Sequence, residues 1–244
     1  MKPESSASGS GASGPTVAAV AGAGTRDALL EQGALLFARD GIDAVTARQL
    51  HAAIGARNES ALHYHFGGRD GLVTEILRIH LEAVEERRRP LVEAIEAEGR
   101  AHDLRALAHA LARPMADDLG DPVGRAHLRI VAQLSHPALA YEVPFRVVDA
   151  PAGAAVARWL ATALHDLPSP IRRERLAALR GQLVGLFGQR AQVLDEAPRP
   201  TVLPSDDLFV ENLLDVVVAG LGVAPSPATL AEAGAPLDVP LDHG

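Results

Sequence analysis

The sequence predicts an all-α protein, with a small N-terminal helical head followed by a larger helical bundle. Three observations lead there. Apolar residues fill 48% of the 244 positions but aromatics only 3%, and alanine and leucine outnumber the β-branched residues. From Thr25 onward, apolar residues recur at three- and four-residue spacing, the period of a helix buried along one face. Glycine and proline fall between these runs, where helices end and begin.

Residues 1–23 are mostly Ser, Gly, Ala and Pro, too little to bury, and are expected to form a disordered arm. Gly9, Gly11 and Gly14 spell GxGxxG, but no strand precedes them and no helix is expected after them, so no dinucleotide site is read here. The head is expected over 24–70, a bundle over 71–222 and a frayed tail over 223–244, where proline and alanine recur without period. In the head, Leu29, Leu30, Gly33, Ala34, Leu36 and Phe37 mark a first helix ending at Gly41. Thr46 and Gln49 form a capping box that starts a second helix near Ala47, ending at Gly55. Asn58 or Ser60 caps a third, which buries Ala61, Leu62 and Phe66 and stops at Gly67–Gly68.

The fourth helix opens near Arg69 with Leu72, Val73, Ile76, Leu77, His80, Leu81 and Val84 on one stripe. Pro90, which lacks an amide donor, is expected to kink it or begin the next helix. Further helices are expected at about 103–118, 122–135, 151–166, 170–196 and 206–222. Asp121–Pro122 and Ser169–Pro170 supply cap-then-proline starts for two of them.

Several classes of function fall away. The absence of cysteine removes disulfides and thiolate metal sites. No GxSxG, HExxH or P-loop is present, so neither an enzyme nor a cofactor is expected. His63 and His65 lie about 200° apart on a helix and cannot share one metal ion. With no run of roughly 18 apolar residues and no basic-then-apolar leader, a cytoplasmic protein without membrane contact is expected. The net charge of −8 does not exclude nucleic acid, because affinity follows the local patch that faces phosphate.

That patch lies between Val45 and Leu72. Arg48, His51, Arg57, His63, Tyr64, His65 and Arg69 gather around the glycine turn, and between Val45 and Arg69 three arginines meet one acid, Glu59. Arginine and histidine donate to phosphate, and arginine reads guanine edges. Asn58, Glu59, Ser60 and His63 open the third helix, the part of a helix-turn-helix that reaches bases. The order VTARQL, Gly55, ALHYHFGGRDGL resembles the DNA-binding domain of the TetR family of transcriptional regulators over roughly residues 25–80. Thr46, Arg48, Tyr64, His65, Phe66, Arg69 and Leu72 stand at the positions that carry the resemblance. Ala56 to Asn58 make the turn about one residue longer than the common family spacing, and Glu59 places a carboxylate where it would repel phosphate unless it accepts from cytosine.

The resemblance implies a homodimer on a double-stranded operator, released by a small-molecule effector bound in the C-terminal helices. Leu179, Leu183, Gly185 and Leu186 of the penultimate long helix, with Leu214, Val217, Val218 and Leu221 of the last, give two apolar faces suited to a two-fold interface or to the chain's own core. His109, Met115, His127, Tyr141, Phe145, Trp159 and Phe187 are the candidates for an effector pocket, expected to take a largely apolar ligand. The rival expectation is a helical small-molecule binding protein with an idle head, favoured by six arginines against seven acids over residues 25–80.

Overall fold

Three helices fold around one apolar centre at the N-terminal end. α1 (Val17–Asp40) presents Leu29, Ala34 and Phe37 to it, α2 (Ala47–Ala53) adds Leu50, and α3 (Ser60–Phe66) adds Leu62. The computed structural model describes residues 17–55, 60–135, 149–196 and 202–234. α1 starts eight residues before the expected Thr25, because Val17 to Gly24 is alanine-rich and free of proline. The capping box forms: the Gln49 amide donates to Thr46 Oγ1 at 3.3 Å, and the Thr46 amide donates to Gln49 Oε1 at 2.8 Å.

α4 (Arg69–Ala97) runs unbroken through Pro90, so the proline neither ends it nor starts a new helix. α5 (Leu104–Ala116), a 3-10 turn (Asp117–Gly120), α6 (Pro122–Leu134), α7 (Pro151–Ala163), α8 (Ser169–Asp195) and α9 (Asp206–Gly222) then build the bundle. Asp103, Asp121 and Ser205 cap α5, α6 and α9 through side-chain oxygens. α8 begins one residue early, with Pro168 at its cap and Ser169 already inside the first turn. A short α10 (Pro227–Ala233) stands where a frayed tail was expected; Ser226 accepts from the Thr229 amide ahead of Pro227, another cap-then-proline start. Among the described residues no single helix is long and apolar enough to cross a membrane.

Two apolar cores result. One, in the bundle, is centred on Leu107, Val156, Phe187 and Leu214; Phe187 meets Phe209 edge-on at 5.2 Å between ring centres. The other holds the head together and includes Ala126, Ile130, Val131 and Leu134 of α6 beside Leu72, Ile76 and Leu77 of α4. The first three helices therefore do not close their own core; α6 completes it. On its other side α6 meets α8, where Gly188 leaves so little room that an added Cβ would lie 2.5 Å from that of Ala132. Gln133 of α6 fastens the contact with the head. Its amide nitrogen donates to the Phe37 carbonyl at 3.1 Å, and its oxygen accepts from the Ile42 amide at 3.1 Å. The Ile42 amide just past α1 thereby gains an acceptor, and the Phe37 carbonyl, which already accepts from the Gly41 amide, gains a second donor.

Candidate functional site

At 100° per residue, Ser60, His63 and Tyr64 fall on one side of α3 and Leu62 falls opposite. The structure follows that geometry. Leu62 is buried, Ser60 and His63 are exposed, and Tyr64 is 84% exposed. A phenol ring left in solvent on a short helix has no stabilising role in the core, whereas a groove or a phosphate would cover it. Arg48 and Thr46 are exposed at the start of α2, and Arg48 has no hydrogen bond or ion pair among the described residues. The hydroxyl of Thr46 is engaged in its cap, donating to Gln49 Oε1 at 2.8 Å. His65 is half-buried beneath Tyr64, with ring centres 5.0 Å apart, and supports the ring edge-on. Arg57, Asn58 and Glu59 lie outside the described residues.

Arg69 departs from expectation. Its Nη1 donates to the carbonyls of Ile42 at 3.2 Å and Asp43 at 3.3 Å, and its Nε and Nη2 both reach Asp70 Oδ1 at 3.3 Å. The guanidinium ties the start of α4 to the α1–α2 link instead of standing free for phosphate. His51, also a basic residue of this region, is buried with Nε2 unpartnered.

Behind the head, a cavity of about 360 Å³ opens between α4, α5, α7 and α8, within the size range of small-molecule sites. Leu111, Met115, Leu160, Leu176, Leu179 and Leu183 form much of its wall. His80, Arg88 and Arg180 supply its polar groups. Of the five pocket residues expected from sequence that lie among the described residues, only Met115 lines it. Phe187 is fully buried in the core and Trp159 packs against that core. His109 lines a separate cleft beside Glu211, and His127 lines one beside Leu30 and Ile76. Tyr141 and Phe145 lie outside the described residues.

Two buried polar networks flank the cavity on α4. Glu85 accepts from the Ala152 amide at 2.5 Å and the Gly153 amide at 3.2 Å, so it caps the N-terminus of α7 from across the bundle. Arg88 holds the same carboxylate at 2.9 Å and donates through Nε to the Ala110 carbonyl at 3.1 Å. Four residues N-terminal of Val84, His80 Nδ1 sits 3.3 Å from Asp118 Oδ2, though neither atom makes a hydrogen bond. Arg87 donates to the other Asp118 oxygen at 2.8 Å. Burial pushes His80 down to about 3 and His127, whose ring lies 5.1 Å away, down to about 4; it pushes Asp118 up to about 6.

The faces expected to pair two subunits are divided by the structure. Leu179, Leu183, Leu214, Val217 and Leu221 are buried in the chain's own core, and Val218 packs against it. Periodicity identifies an apolar face but not its partner. Left uncovered are Gly181 and Gly185 of α8, with nothing within 4 Å of an added Cβ, Leu186, and Leu208 and Val216 of α9 with Val223 just after it, the last three at 55–59% exposure.

The chain thus has the architecture of a helical head joined to a cavity-bearing bundle. It is similar in fold to a probable transcriptional regulatory protein, RHA5900, with a TM-score of 0.53 at 22% identity, covering 82% of this chain and 100% of that one. A TetR-family regulator from Thermus thermophilus, PfmR, aligns more loosely, at a TM-score of 0.41 and 19% identity over 82% of this chain and 98% of its own. No protein-family model matches the sequence, and no curated protein does.

Proposed function

We propose that the chain is a dimeric, ligand-responsive regulator of the TetR family that represses transcription from a near-palindromic operator. The observation that carries this reading is the solvent-facing Ser60–His63–Tyr64 side of α3, opposite a buried Leu62, in a head whose core is completed by α6. A major groove about 12 Å wide admits such a helix, with Arg48 and Thr46 beside it to meet the phosphate backbone. By sequence position this reading adds Arg57 to the DNA contacts, and adds Asn58 and Glu59 to Ser60 and His63 as base readers.

Two copies joined through the uncovered Gly181, Gly185, Leu186, Leu208, Val216 and Val223 would form a four-helix contact. Their recognition helices would then sit about 34–36 Å apart, or a multiple of it, on one face of the duplex. A small, largely apolar effector in the cavity shifts the dimer toward a conformer with a different spacing, by its difference in affinity for the two. α4 and α6 both carry that change, since each contributes to the head core and reaches the bundle. The rival reading, a ligand-binding protein with an idle head, draws its support from the internally committed guanidinium of Arg69.

Mobility shifts with the full chain separate the two. The regulator is expected to prefer a fragment from its own promoter region over random DNA, with binding that falls steeply as salt rises. Tyr64→Ala should weaken all sequences alike, and His63→Ala should change the preference among them. Equal binding to promoter and random DNA at moderate salt would overturn the regulator reading.

A further inference from the structure

The cavity between α4, α5, α7 and α8 is apolar on most of its wall, and its charge is of one sign. Among the described residues lining it, His80, Arg88 and Arg180 are the polar ones, and no Asp or Glu is present. We infer that this cavity takes a monoanionic amphiphile, a carboxylate on an aliphatic body of about ten carbons, with the carboxylate held at Arg180. The inference deepens the effector reading above, and rests on that reading only for its consequence at DNA.

The charge argument starts with what each polar group already does. Arg88 is partly neutralised by Glu85 at 2.9 Å, but that carboxylate is shared with the Ala152 and Gly153 amides at the positive end of α7. The lining therefore keeps a surplus of positive field. Arg180 is exposed on α8 and has no hydrogen bond or ion pair among the described residues. A carboxylate gives it a bidentate partner. An ammonium head would instead bring its charge against two guanidiniums, and a hydroxyl would leave Arg180 to water. His80 is buried at 4% exposure with Nδ1 unpartnered, and stays neutral because burial opposes its charge. It adds polarity without a second charge to match, which suits one anionic group and not two.

Size follows from the volume. At ~30 Å³ for each water-sized group, 360 Å³ holds about a dozen of them. Decanoate has about that many non-hydrogen atoms, and the leucine side chains of α5, α7 and α8 form the wall its chain would contact.

Calorimetric titration of the full chain with decanoate, decan-1-ol and decylammonium, each below its aggregation limit, tests this. Decanoate is expected to bind at least tenfold more tightly than either of the others. Arg180→Gln, at an exposed position that leaves the core intact, should cost decanoate at least ~tenfold and leave decan-1-ol unchanged. Arg88→Gln should also weaken decanoate. Equal or tighter binding of the alcohol, preference for the ammonium, no binding of any probe, or an unchanged Arg180→Gln variant would overturn the assignment. A ligand-free mobility shift on the same protein scores the regulator reading separately. Decanoate binding without DNA preference removes the regulator and keeps the ligand class, and the reverse result does the opposite.

Discussion

Gly71→Ala is expected to open the join between α3 and α4 and abolish the DNA binding proposed above. The chain turns through Gly67 and Gly68 at φ of 70° and 132°, and α4 then passes so close to the end of α3 that a Cβ on Gly71 would overlap the Phe66 carbonyl oxygen. A backbone atom cannot rotate away as a side chain can, so the overlap must displace α3 itself. The expected cost is ~3 kcal/mol or more, at the upper end of overpacking penalties. Because Phe66 and Leu62 anchor α3 against the head core, the displacement moves Tyr64 and His63 with it. Urea unfolding and a mobility shift on the same variant check both effects. Gly24→Ala, where an added Cβ meets nothing within 4 Å, is the matched control and should leave stability unchanged or raise it by up to ~1 kcal/mol. Equal behaviour of the two variants would contradict this account of the turn.

Acidification is expected to unfold the bundle through the polar groups buried on α4, the 3-10 turn and α6. His80 and His127 titrate near 3 and 4 in the folded chain against an ordinary 6.5, whereas Asp118 titrates near 6 against 3.8. Between about pH 6 and 4 the unfolded chain therefore binds two protons on these histidines that the folded chain refuses. The folded chain keeps one on Asp118 that the unfolded chain releases. The unfolded state holds the net excess of one proton, so stability falls as pH falls, by roughly 1 kcal/mol per pH unit. Asp118 moderates the loss; the histidines decide its sign. Urea midpoints at pH 7, 6 and 5 should decline in that order, and His127→Gln should flatten the decline by about the same slope. A slope identical in the variant would show that other groups set the acid limit.

Helix positions are accessible from sequence where the signal is local. Asp121–Pro122, the Thr46–Gln49 box and Ser205 before Asp206 each carry their own start signal, and α2, α6 and α9 begin there. α10 has the same kind of signal in Ser226–Pro227, but too few apolar residues to mark a face. Partnership is less accessible. Leu179, Leu183, Leu214 and Val217 lie on apolar faces, and an apolar face does not reveal whether it meets the same chain or another; here it meets the same chain.

The cavity is the least accessible part. Large side chains such as Phe187 and Trp159 attract attention in a sequence, yet size favours the core. The groups that give the cavity its charge, Arg88 and Arg180, resemble any solvated arginine until the helices are assembled. The same holds for Glu85, which caps a helix 67 residues away, and for Gln133, which closes the end of α1 from 96 residues away. The exposed face of α3 is legible because a seven-residue helix with one buried leucine leaves little choice of orientation.

The central claim is that two copies of this head read DNA with two-fold symmetry. Selection of bound sequences from a random duplex pool by the full-length protein, followed by sequencing, addresses it directly. The account predicts enrichment of an inverted repeat whose half-sites are centred about 10–10.5 base pairs apart, or a multiple of that spacing, and a changed half-site sequence with His63→Ala. An unenriched pool, or a single asymmetric site selected unchanged by the His63→Ala variant, would contradict it.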